Sequence, residues 1–471
     1  MIRFGTRTAI VLAAWITGYS TLPTLAASTP SLSASRQGDV LHLTWSPADS
    51  GAASYTVESS PSLVPPLWQP LGGPAGWPVT NLQWSGPAPA TQATFYRVLV
   101  STPVARGAVE TNVLIQRFTS AELLKRMQDR GVPAFSAMAA DAWKIVYQTI
   151  DPRGRPTRAS ALLVVPQGAT KALPLVSYQH GTIMPREDVP SRLNDEADLG
   201  LIMAASGYLT VLPDYLGLGD SPGFHPYHHA QSEASAVVDA LRAARDSLAG
   251  KGATWNGQLF LTGYSQGDHA TLAAQKELEL RHTAEFPITA SAPSAGAYDL
   301  SGTTTTDFLS SRVPPNPYYF PYLLAAYVEV YGLSASLAEW LRPPYDTTLP
   351  PLFNGQNDGS KINALLPTHP LDILKPEILE AFIQDPNHPL RRAARENDLH
   401  TGWIPKTKTR LYHCQGDLDV PPANSKVAFD TFKAAGSTVV ELVDPWPTAN
   451  HGGCVPYALL FTKFWFDSMK Q

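Results

Sequence analysis

Residues 28–105 alternate apolar and polar positions in short runs. Leu41, Leu43 and Trp45 alternate with polar residues in VLHLTWSP, and the same period of two recurs in SYTVESS and TFYRVLV. A period of two places successive apolar side chains on one face of a strand. Because clusters of Pro, Gly and Ser separate these runs, the pattern predicts a small all-β sandwich that ends in a linker at residues 101–110.

After residue 110, apolar runs alternate with longer segments of helical period. The segment TSAELLKRMQDRG begins with a capping box, Thr119 to Glu122, and ends at Gly131. Strands are predicted for WKIVYQTI, SALLVVP, PLVSYQH, YLTVLPD and QLFLTGY, and helices for ADLGLIMAASG, QSEASAVVDALRAARDSL and ATLAAQKELEL. Strands that alternate with helices predict an α/β layer fold for residues 106–471.

The N-terminus has the pattern of an export signal. Two arginines precede the apolar run at residues 9–16, and small residues in TLAAS provide a cleavage site after Ala26 or Ala27. An uncleaved membrane anchor is the alternative, although this run is short for a bilayer span. With residues 1–27 as a signal peptide, the mature protein is expected to be secreted or periplasmic, without a stable membrane span.

Composition and charge exclude several classes of protein. The chain has 471 residues, of which 44% are hydrophobic, so it can form a large core and more than one domain. Its formal net charge is -5 and it contains no dense Lys or Arg run, whereas a nucleic-acid partner requires a basic surface. We therefore expect a folded protein that does not bind nucleic acid.

The segment LFLTGYSQGDH places Ser265 between Gly263 and Gly267, where a predicted strand meets a predicted helix. At such a sharp turn, a residue larger than either glycine would collide with the backbone that holds the serine outward. The strand, the G-x-S-x-G pattern and the helix together resemble the nucleophile elbow of α/β-hydrolases. The resemblance implies that Ser265 is a nucleophile, which needs a histidine base and an acid that orients it.

Candidates for the acid and the base follow Ser265 in the order that this fold uses. Asp417 follows the predicted strand in TKTRLYHCQGD, and His451 lies in a predicted loop after the next strand. Asp419 is the alternative acid. The segment YHCQGDLDVPPANS resembles the hydrolase pattern in which the catalytic acid stands four residues before the proline of a Val-Pro pair, which favours Asp417. For His451, the alternative is an ordinary loop histidine.

The only two cysteines lie next to these candidates. Cys414 precedes Asp417 by three residues, and Cys454 follows His451 by three residues. If the acid contacts the base, the cysteines are close enough to form a disulfide, which an exported protein permits. Two unpaired buried thiols are the alternative.

Two further segments bear on the site. HGT, which includes Thr182, ends a predicted strand where α/β-hydrolases place part of the oxyanion hole. The resemblance therefore implies that backbone N–H groups of Thr182 and Gln266 stabilise the developing negative charge. A second segment has residue types that bind metals but opens a predicted helix, where such residues often cap or pair, so no metal is predicted. Its residues are His225, His228, His229 and Glu233.

An insertion rich in proline and aromatic residues, at about 298–403, precedes the strand of the acid. In PYLLAAYVEVYGL, Leu323, Tyr327, Val328 and Tyr331 lie on one predicted helical face. The pattern predicts a helical cap over the site. Its apolar surface either receives an acyl chain or packs only the cap's own core.

With GYSQG, HGT, PDYLGLGDSPGFHPY, the cap and NHGG, the region from about residue 107 to the end resembles secretory lipases of the α/β-hydrolase superfamily, the lipase A-like branch. The implied fold is an α/β-hydrolase with a helical cap insertion, preceded by the small all-β sandwich. The implied activity is hydrolysis of small-molecule or lipid esters through an acyl-enzyme, without metal or organic cofactor.

The N-terminal sandwich is similar to fibronectin type III-like modules of secreted bacterial proteins. Its tryptophans either stack on sugars or fill the core of the module; they are Trp45, Trp68, Trp77 and Trp84. Contact with a polysaccharide through this module would suit a carbohydrate esterase that removes acetyl or feruloyl groups. A non-catalytic binding protein on a hydrolase scaffold is the alternative of another class, which the presence of Ser, Asp and His disfavours.

Overall fold

The computed structural model describes residues 2–4, 8–16, 31–47, 54–60, 69–71, 79, 81–87, 94–101 and 104–471. The chain separates into two compact units. The first comprises Met1–Ala105, Ile150–Thr157 and Val328–Ala335, and the second comprises Arg106–Thr149, Arg158–Tyr327 and Ser336–Gln471.

The described residues of the first unit form two sheets of short strands. These strands are β1 (Ile2–Phe4), β2 (Thr8–Ile16), β3 (Leu32–Gln37), β4 (Val40–Trp45), β5 (Ser54–Ser60), β6 (Gln69–Pro70), β7 (Gln83–Pro87) and β8 (Thr94–Ser101). One sheet has the order β1-β2-β8-β5-β6 and the other the order β3-β4-β7. The strands predicted from VLHLTWSP, SYTVESS and TFYRVLV are confirmed as β4, β5 and β8.

The inward apolar positions of these strands share one core, which includes Trp45 and Trp84. Each of the two indoles is 5% exposed. They fill the core of the module and provide no face on which a sugar could stack. Trp68 and Trp77 lie outside the described residues.

Strand β1 pairs with β2 in the antiparallel direction, and β2 lies parallel to β8. The predicted cleavage site after Ala26 or Ala27 lies outside the described residues, so the signal peptide stays a prediction. The predicted linker at 101–110 is too long, because β8 ends at Ser101 and the next strand begins at Val109.

The second unit is built around a nine-stranded sheet of order β17-β16-β15-β14-β12-β13-β11-β10-β9. Its strands are β9 (Val109–Phe118), β10 (Ala140–Ile150), β11 (Pro156–Pro166), β12 (Leu173–Gln179), β13 (Leu209–Pro213), β14 (Trp255–Tyr264), β15 (Ile288–Ser294), β16 (Thr409–Tyr412) and β17 (Val440–Val443). Neighbours from β13 to β17 are parallel, while β11 pairs with β13 and β9 with β10 in the antiparallel direction. Central parallel strands are covered on both faces, which explains their continuous apolar sequences.

Six helices each follow a strand of this sheet. They are α1 (Ser120–Asp129), α2 (Ala197–Ala205), α3 (Ala230–Asp246), α4 (Gln266–Arg281), α11 (Ala423–Ala434) and α12 (His451–Asp467). The first four lie where the sequence predicts helices, whereas α11 and α12 are not among the predicted elements. The capping box of α1 is present, with Thr119 as the N-cap. Among the described residues, none of the helices combines the length and the apolar composition that crossing a bilayer requires.

The segment between β15 and β16 is helical, as predicted. It contains α5 (Thr305–Leu309), α6 (Tyr319–Tyr331), α7 (Tyr345–Thr348), α8 (Gly359–Asn363), α9 (Pro376–Gln384) and α10 (Pro389–Glu396). The four residues of the predicted apolar face of α6 are buried, but so are Phe320, Tyr322 and Leu324. Helix α6 is therefore buried around most of its circumference, and the prediction of one apolar face was too narrow.

Candidate active site

Ser265 lies in a tight turn between β14 and α4. Its backbone φ is 60°, in the left-handed region that residues other than glycine rarely adopt. A Cβ at Gly263 would overlap the backbone of Gly267, and a Cβ at Gly267 would overlap the backbone of Gln179. Both glycines are therefore required by backbone contact, and the strained serine is of the kind that clusters at functional sites.

Asp417 and His451 are in direct contact. Oδ2 of Asp417 lies 2.6 Å from Nδ1 of His451 and 3.3 Å from Nε2 of His413. Its Oδ1 accepts the backbone N–H groups of Asp419 and Val420, each at 2.9 Å. Burial raises the pKa of Asp417, but hydrogen bonds from the two histidines outweigh burial, so this pKa lies well below its ordinary value. The ionised carboxylate can orient the His451 ring and stabilise its protonated form.

Asp419, the alternative acid, has a different partner. Its Oδ1 accepts a hydrogen bond from Nδ2 of Asn316 at 2.7 Å. Within the described residues, no hydrogen bond joins the Asp419 side chain to His451. The geometry therefore favours Asp417 as the acid.

His451 is the first residue of α12, whereas the sequence placed it in a loop. The side chain of Asn450 caps this helix by accepting the Gly453 N–H at 2.8 Å. The hydroxyl of Tyr264, the residue before Ser265, donates to the His451 carbonyl oxygen at 2.7 Å. Nε2 of His451 has no hydrogen-bond partner in the part of the chain that is described, and it remains available to exchange a proton.

Cys414 and Cys454 form a disulfide, with their Cα atoms 6.0 Å apart. Both residues are fully buried. The bond joins the segment that carries Asp417 to the first turn of α12, which begins at His451. The predicted disulfide is confirmed, and the alternative of two free thiols is wrong.

The predicted oxyanion-hole residues lie in two segments next to Ser265. Gln266 is the first residue of α4, and the first N–H groups of a helix have no acceptor within the helix. The HGT segment is close on the other side, because a Cβ built at Gly181 would lie 4.0 Å from the Cβ of Ser265. Thr182 follows directly, and its hydroxyl lies 2.9 Å from the Tyr227 hydroxyl. Both segments can present backbone N–H groups, and a helix N-terminus favours negative charge.

Two openings of unequal size adjoin this centre. A small pocket of about 50 Å³ contains Ser265 and is bordered by the cap residues Phe308, Tyr319 and Leu323. A larger cleft of about 670 Å³ is lined by Tyr264, Gly452 and Gly181, the sequence neighbours of Ser265, His451 and Thr182.

The histidine-rich segment that offers metal ligands is buried close to Gln266. Burial lowers the pKa of His228 to about 3, and lowers the pKa of His225 and of His229 to about 4. The three rings are therefore neutral at neutral pH. His228, Glu233 and His269 bring their ligand atoms within 4.8 Å of one another, which is the spacing of a cation site.

Hydrogen bonds already satisfy the carboxylate of this group. Oε2 of Glu233 lies 2.6 Å from Nδ1 of His269, and Oε1 accepts from Nε2 of Gln266 at 3.0 Å. Sequence reasoning missed His269 and His413. The only signal for His269 is its position four residues after Ser265, on the same face of the helix.

Comparisons with known proteins agree with this architecture. The secretory lipase family matches residues 193–300, a range that includes Ser265. The rice cell wall degrading esterase LipA from Xanthomonas oryzae is 29% identical, with 78% of this chain and 96% of the esterase covered at a TM-score of 0.68. A candidate hydrolase from Legionella pneumophila is 27% identical, with 76% and 97% covered at a TM-score of 0.71.

Lipase A from Candida antarctica shares the fold at 17% identity, with 78% of this chain and 83% of the lipase covered at a TM-score of 0.56. No curated protein matches the chain by sequence. The chain is a secretory lipase-like α/β-hydrolase, and the fold class predicted from its sequence is confirmed.

Proposed function

We propose that the protein is a secreted carboxylic ester hydrolase that works through an acyl-enzyme on Ser265. The observation that carries the proposal is the 2.6 Å contact between Asp417 and His451. Tyr264, the residue before the strained Ser265, is hydrogen-bonded to that histidine. The similarity to the secretory lipase family and to the Xanthomonas oryzae esterase supports the same reaction class. A buried disulfide suits a protein that functions outside the cytoplasm.

Acylation uses the free nitrogen of His451. Nε2 takes the proton of the Ser265 hydroxyl while the serine oxygen attacks the ester carbonyl carbon. Asp417 stabilises the resulting imidazolium, and the N–H groups of Gln266 and Thr182 stabilise the oxyanion. His451 then gives its proton to the alkoxide as the bond between the carbonyl carbon and the alcohol oxygen breaks.

Deacylation repeats these steps with water. His451 takes a proton from water, and the water oxygen attacks the acyl carbon of the acyl-enzyme. The bond to the Ser265 oxygen breaks, the serine regains its proton from His451, and the carboxylic acid leaves. Each group returns to its starting state, so no cofactor is consumed.

The two openings suggest where the acyl group and the alcohol moiety of an ester bind. The pocket of about 50 Å³ that contains Ser265 suits a short acyl group, while the cleft of about 670 Å³ has room for a bulky second moiety. A long acyl chain would need the cap residues around Leu323 to move. We therefore propose a preference for esters of short acids.

A carbohydrate esterase is the second candidate. Trp446 is 48% exposed and stacks on Tyr457, which lines the larger cleft, with ring centroids 4.7 Å apart and 15° between their planes. An exposed flat aromatic surface beside a cleft suits the apolar face of a sugar ring. The Xanthomonas oryzae relative is named as a cell wall degrading esterase.

The test compares purified wild type with Ser265→Ala on p-nitrophenyl esters from acetate to palmitate and on acetylated and feruloylated xylan. We expect acetate or butyrate to be turned over fastest, and Ser265→Ala to lose about 10⁴-fold or more in kcat. Faster release of sugar-linked acetate or ferulate would select the carbohydrate esterase. Absence of turnover on every ester would select the non-catalytic binding protein, and activity retained by Ser265→Ala would contradict the acyl-enzyme.

A further inference from the structure

A second carboxylate–histidine pair, Glu233 and His269, lies against the residue that follows the nucleophile. We propose that Glu233 is a positioning residue for the oxyanion hole, because its carboxylate, held by His269, fixes the side chain of Gln266. The inference rests on the proposed function, since it assigns a role within that same site.

The pair is buried. The side chains of His269 and Glu233 are 0% and 1% exposed. Nδ1 of His269 faces the Glu233 carboxylate, and Nε2 lies 3.0 Å from the carbonyl oxygen of Asn397. Both ring nitrogens of His269 are therefore engaged, one by a carboxylate and the other by a backbone carbonyl. Burial opposes ionisation of Glu233, but electrostatic attraction to His269 and the hydrogen bond with it lower the pKa of this carboxyl to about 2.

The amide of Gln266 depends on this pair for its orientation. His225 donates from Nδ1 to the Leu216 carbonyl oxygen at 2.8 Å, so its Nε2 is an acceptor. Nε2 of Gln266 donates to that acceptor at 2.7 Å and to Oε1 of Glu233 at 3.0 Å. Both amide protons are thus engaged, while Oε1 of Gln266 has no partner among the described residues.

The backbone of Gln266 is what this arrangement positions. Its N–H is the donor proposed for the oxyanion, and its side chain is the anchor that reaches α3. An oxyanion-hole donor contributes only when it is held in place before the reaction, since reorganisation would cost rate. Glu233 therefore acts on the reaction through Gln266, without contact with the substrate.

The same pair connects the site to the cap. Asn397, whose carbonyl oxygen accepts from His269, is the C-cap of α10, the last helix of the cap. Its side-chain oxygen accepts the backbone N–H of Ala230 at 2.8 Å, at the start of α3. Glu233 and His269 thus link the end of the cap to the helices that carry the oxyanion residue and its anchor.

The test compares Glu233→Ala with Glu233→Gln and uses Asp239→Ala as a matched control. Asp239 is a fully buried carboxylate on the same helix, but its hydrogen bonds go to Thr149, Arg106 and Arg242. We expect Glu233→Ala to lose about 10- to 100-fold in kcat on p-nitrophenyl acetate, with KM changed less than about 3-fold. Its affinity for an alkylboronic acid, which mimics the tetrahedral intermediate, should fall with kcat/KM.

Glu233→Gln should restore most of kcat, because glutamine can accept from Gln266 and donate to a neutral His269. Asp239→Ala should lower the melting temperature and leave kcat within about 3-fold of wild type. Gln266→Ala, which keeps the backbone N–H, should lose as much kcat as Glu233→Ala, and the double variant should lose no more than either alone.

Wild-type kcat in Glu233→Ala or in Gln266→Ala would overturn the inference. So would a loss of kcat in Asp239→Ala as large as that in Glu233→Ala. Additive losses of kcat in the variant that combines Glu233→Ala with Gln266→Ala would also overturn it. If Glu233→Ala does not fold, Gln266→Ala and Glu233→Gln still decide the question. A wild type that hydrolyses no ester would instead overturn the proposed function.

Discussion

The two carboxylate–histidine pairs near Ser265 have the same separation of 2.6 Å but different surroundings. The second nitrogen of His451 has no hydrogen-bond partner among the described residues, whereas that of His269 faces the Asn397 carbonyl oxygen. A histidine with one free nitrogen can accept and return a proton, while a histidine with both nitrogens engaged holds its neighbours in place. Residue types alone would assign both pairs the same role. The two roles are distinguished by whether Nε2 of the histidine has a hydrogen-bond partner.

The largest expected effect concerns the acid of the first pair. Asp417→Asn should lose about 10⁴-fold in kcat, because the neutral amide favours the wrong tautomer of His451 and cannot stabilise its protonated ring. Steady-state kinetics on p-nitrophenyl acetate measures the loss.

Asp419→Asn is the matched control for this substitution, since it removes a carboxylate two residues away that contacts Asn316. It should lose less than about 10-fold in kcat. If Asp419→Asn lost about 10⁴-fold in kcat and Asp417→Asn less than about 10-fold, Asp419 would be the acid. The first pair would then be Asp419 and His451, and the comparison above would fail.

Much of this architecture follows from local sequence patterns. Apolar runs predict the central strands because such strands are covered on both faces, and the glycines around Ser265 predict a sharp turn because a Cβ has no space there. The disulfide was predictable because Cys414 and Cys454 are the only cysteines and each lies three residues from a candidate group. Strand β9 was missed, since its burial alternates irregularly and it lies at the sheet edge.

Other features of the site depend on residues far apart in the chain. Nothing near His269 indicates that Glu233, 36 residues earlier, will face it in a buried pair. His413 contacts the Asp417 carboxylate only because the intervening residues turn back, which no periodicity shows. His451 begins a helix because Asn450 caps it, a signal that NHGG contains, so the prediction of a loop there is wrong.

A smaller effect is expected from the disulfide, which joins the segment of Asp417 to the first turn of α12. Its two cysteines are 40 residues apart, and closing a loop of this length stabilises a fold by about 3 to 4 kcal/mol. Cys414→Ser with Cys454→Ser should lower the melting temperature and reduce kcat about 10-fold, because the Asp417 segment is less firmly held against α12.

Calorimetry and kinetics on the double serine variant check both effects. The affinity of this variant for the alkylboronic acid that mimics the tetrahedral intermediate is the internal comparison. That affinity should fall less than it does in Glu233→Ala. An unchanged kcat would show that the hydrogen bonds of Asp417 alone hold the acid in place.

The most direct test of the account is to map the residue that a p-nitrophenyl alkylphosphonate modifies in the folded protein. Such a reagent transfers its phosphonyl group to an activated serine with release of p-nitrophenol, as an ester transfers its acyl group. Peptide mass spectrometry should find the group on Ser265 in wild type. The modification should be at least about 10³-fold slower in His451→Ala, and only about 10- to 100-fold slower in Glu233→Ala. A phosphonyl group on any other residue, or wild-type modification of Ser265 in His451→Ala, would contradict the account.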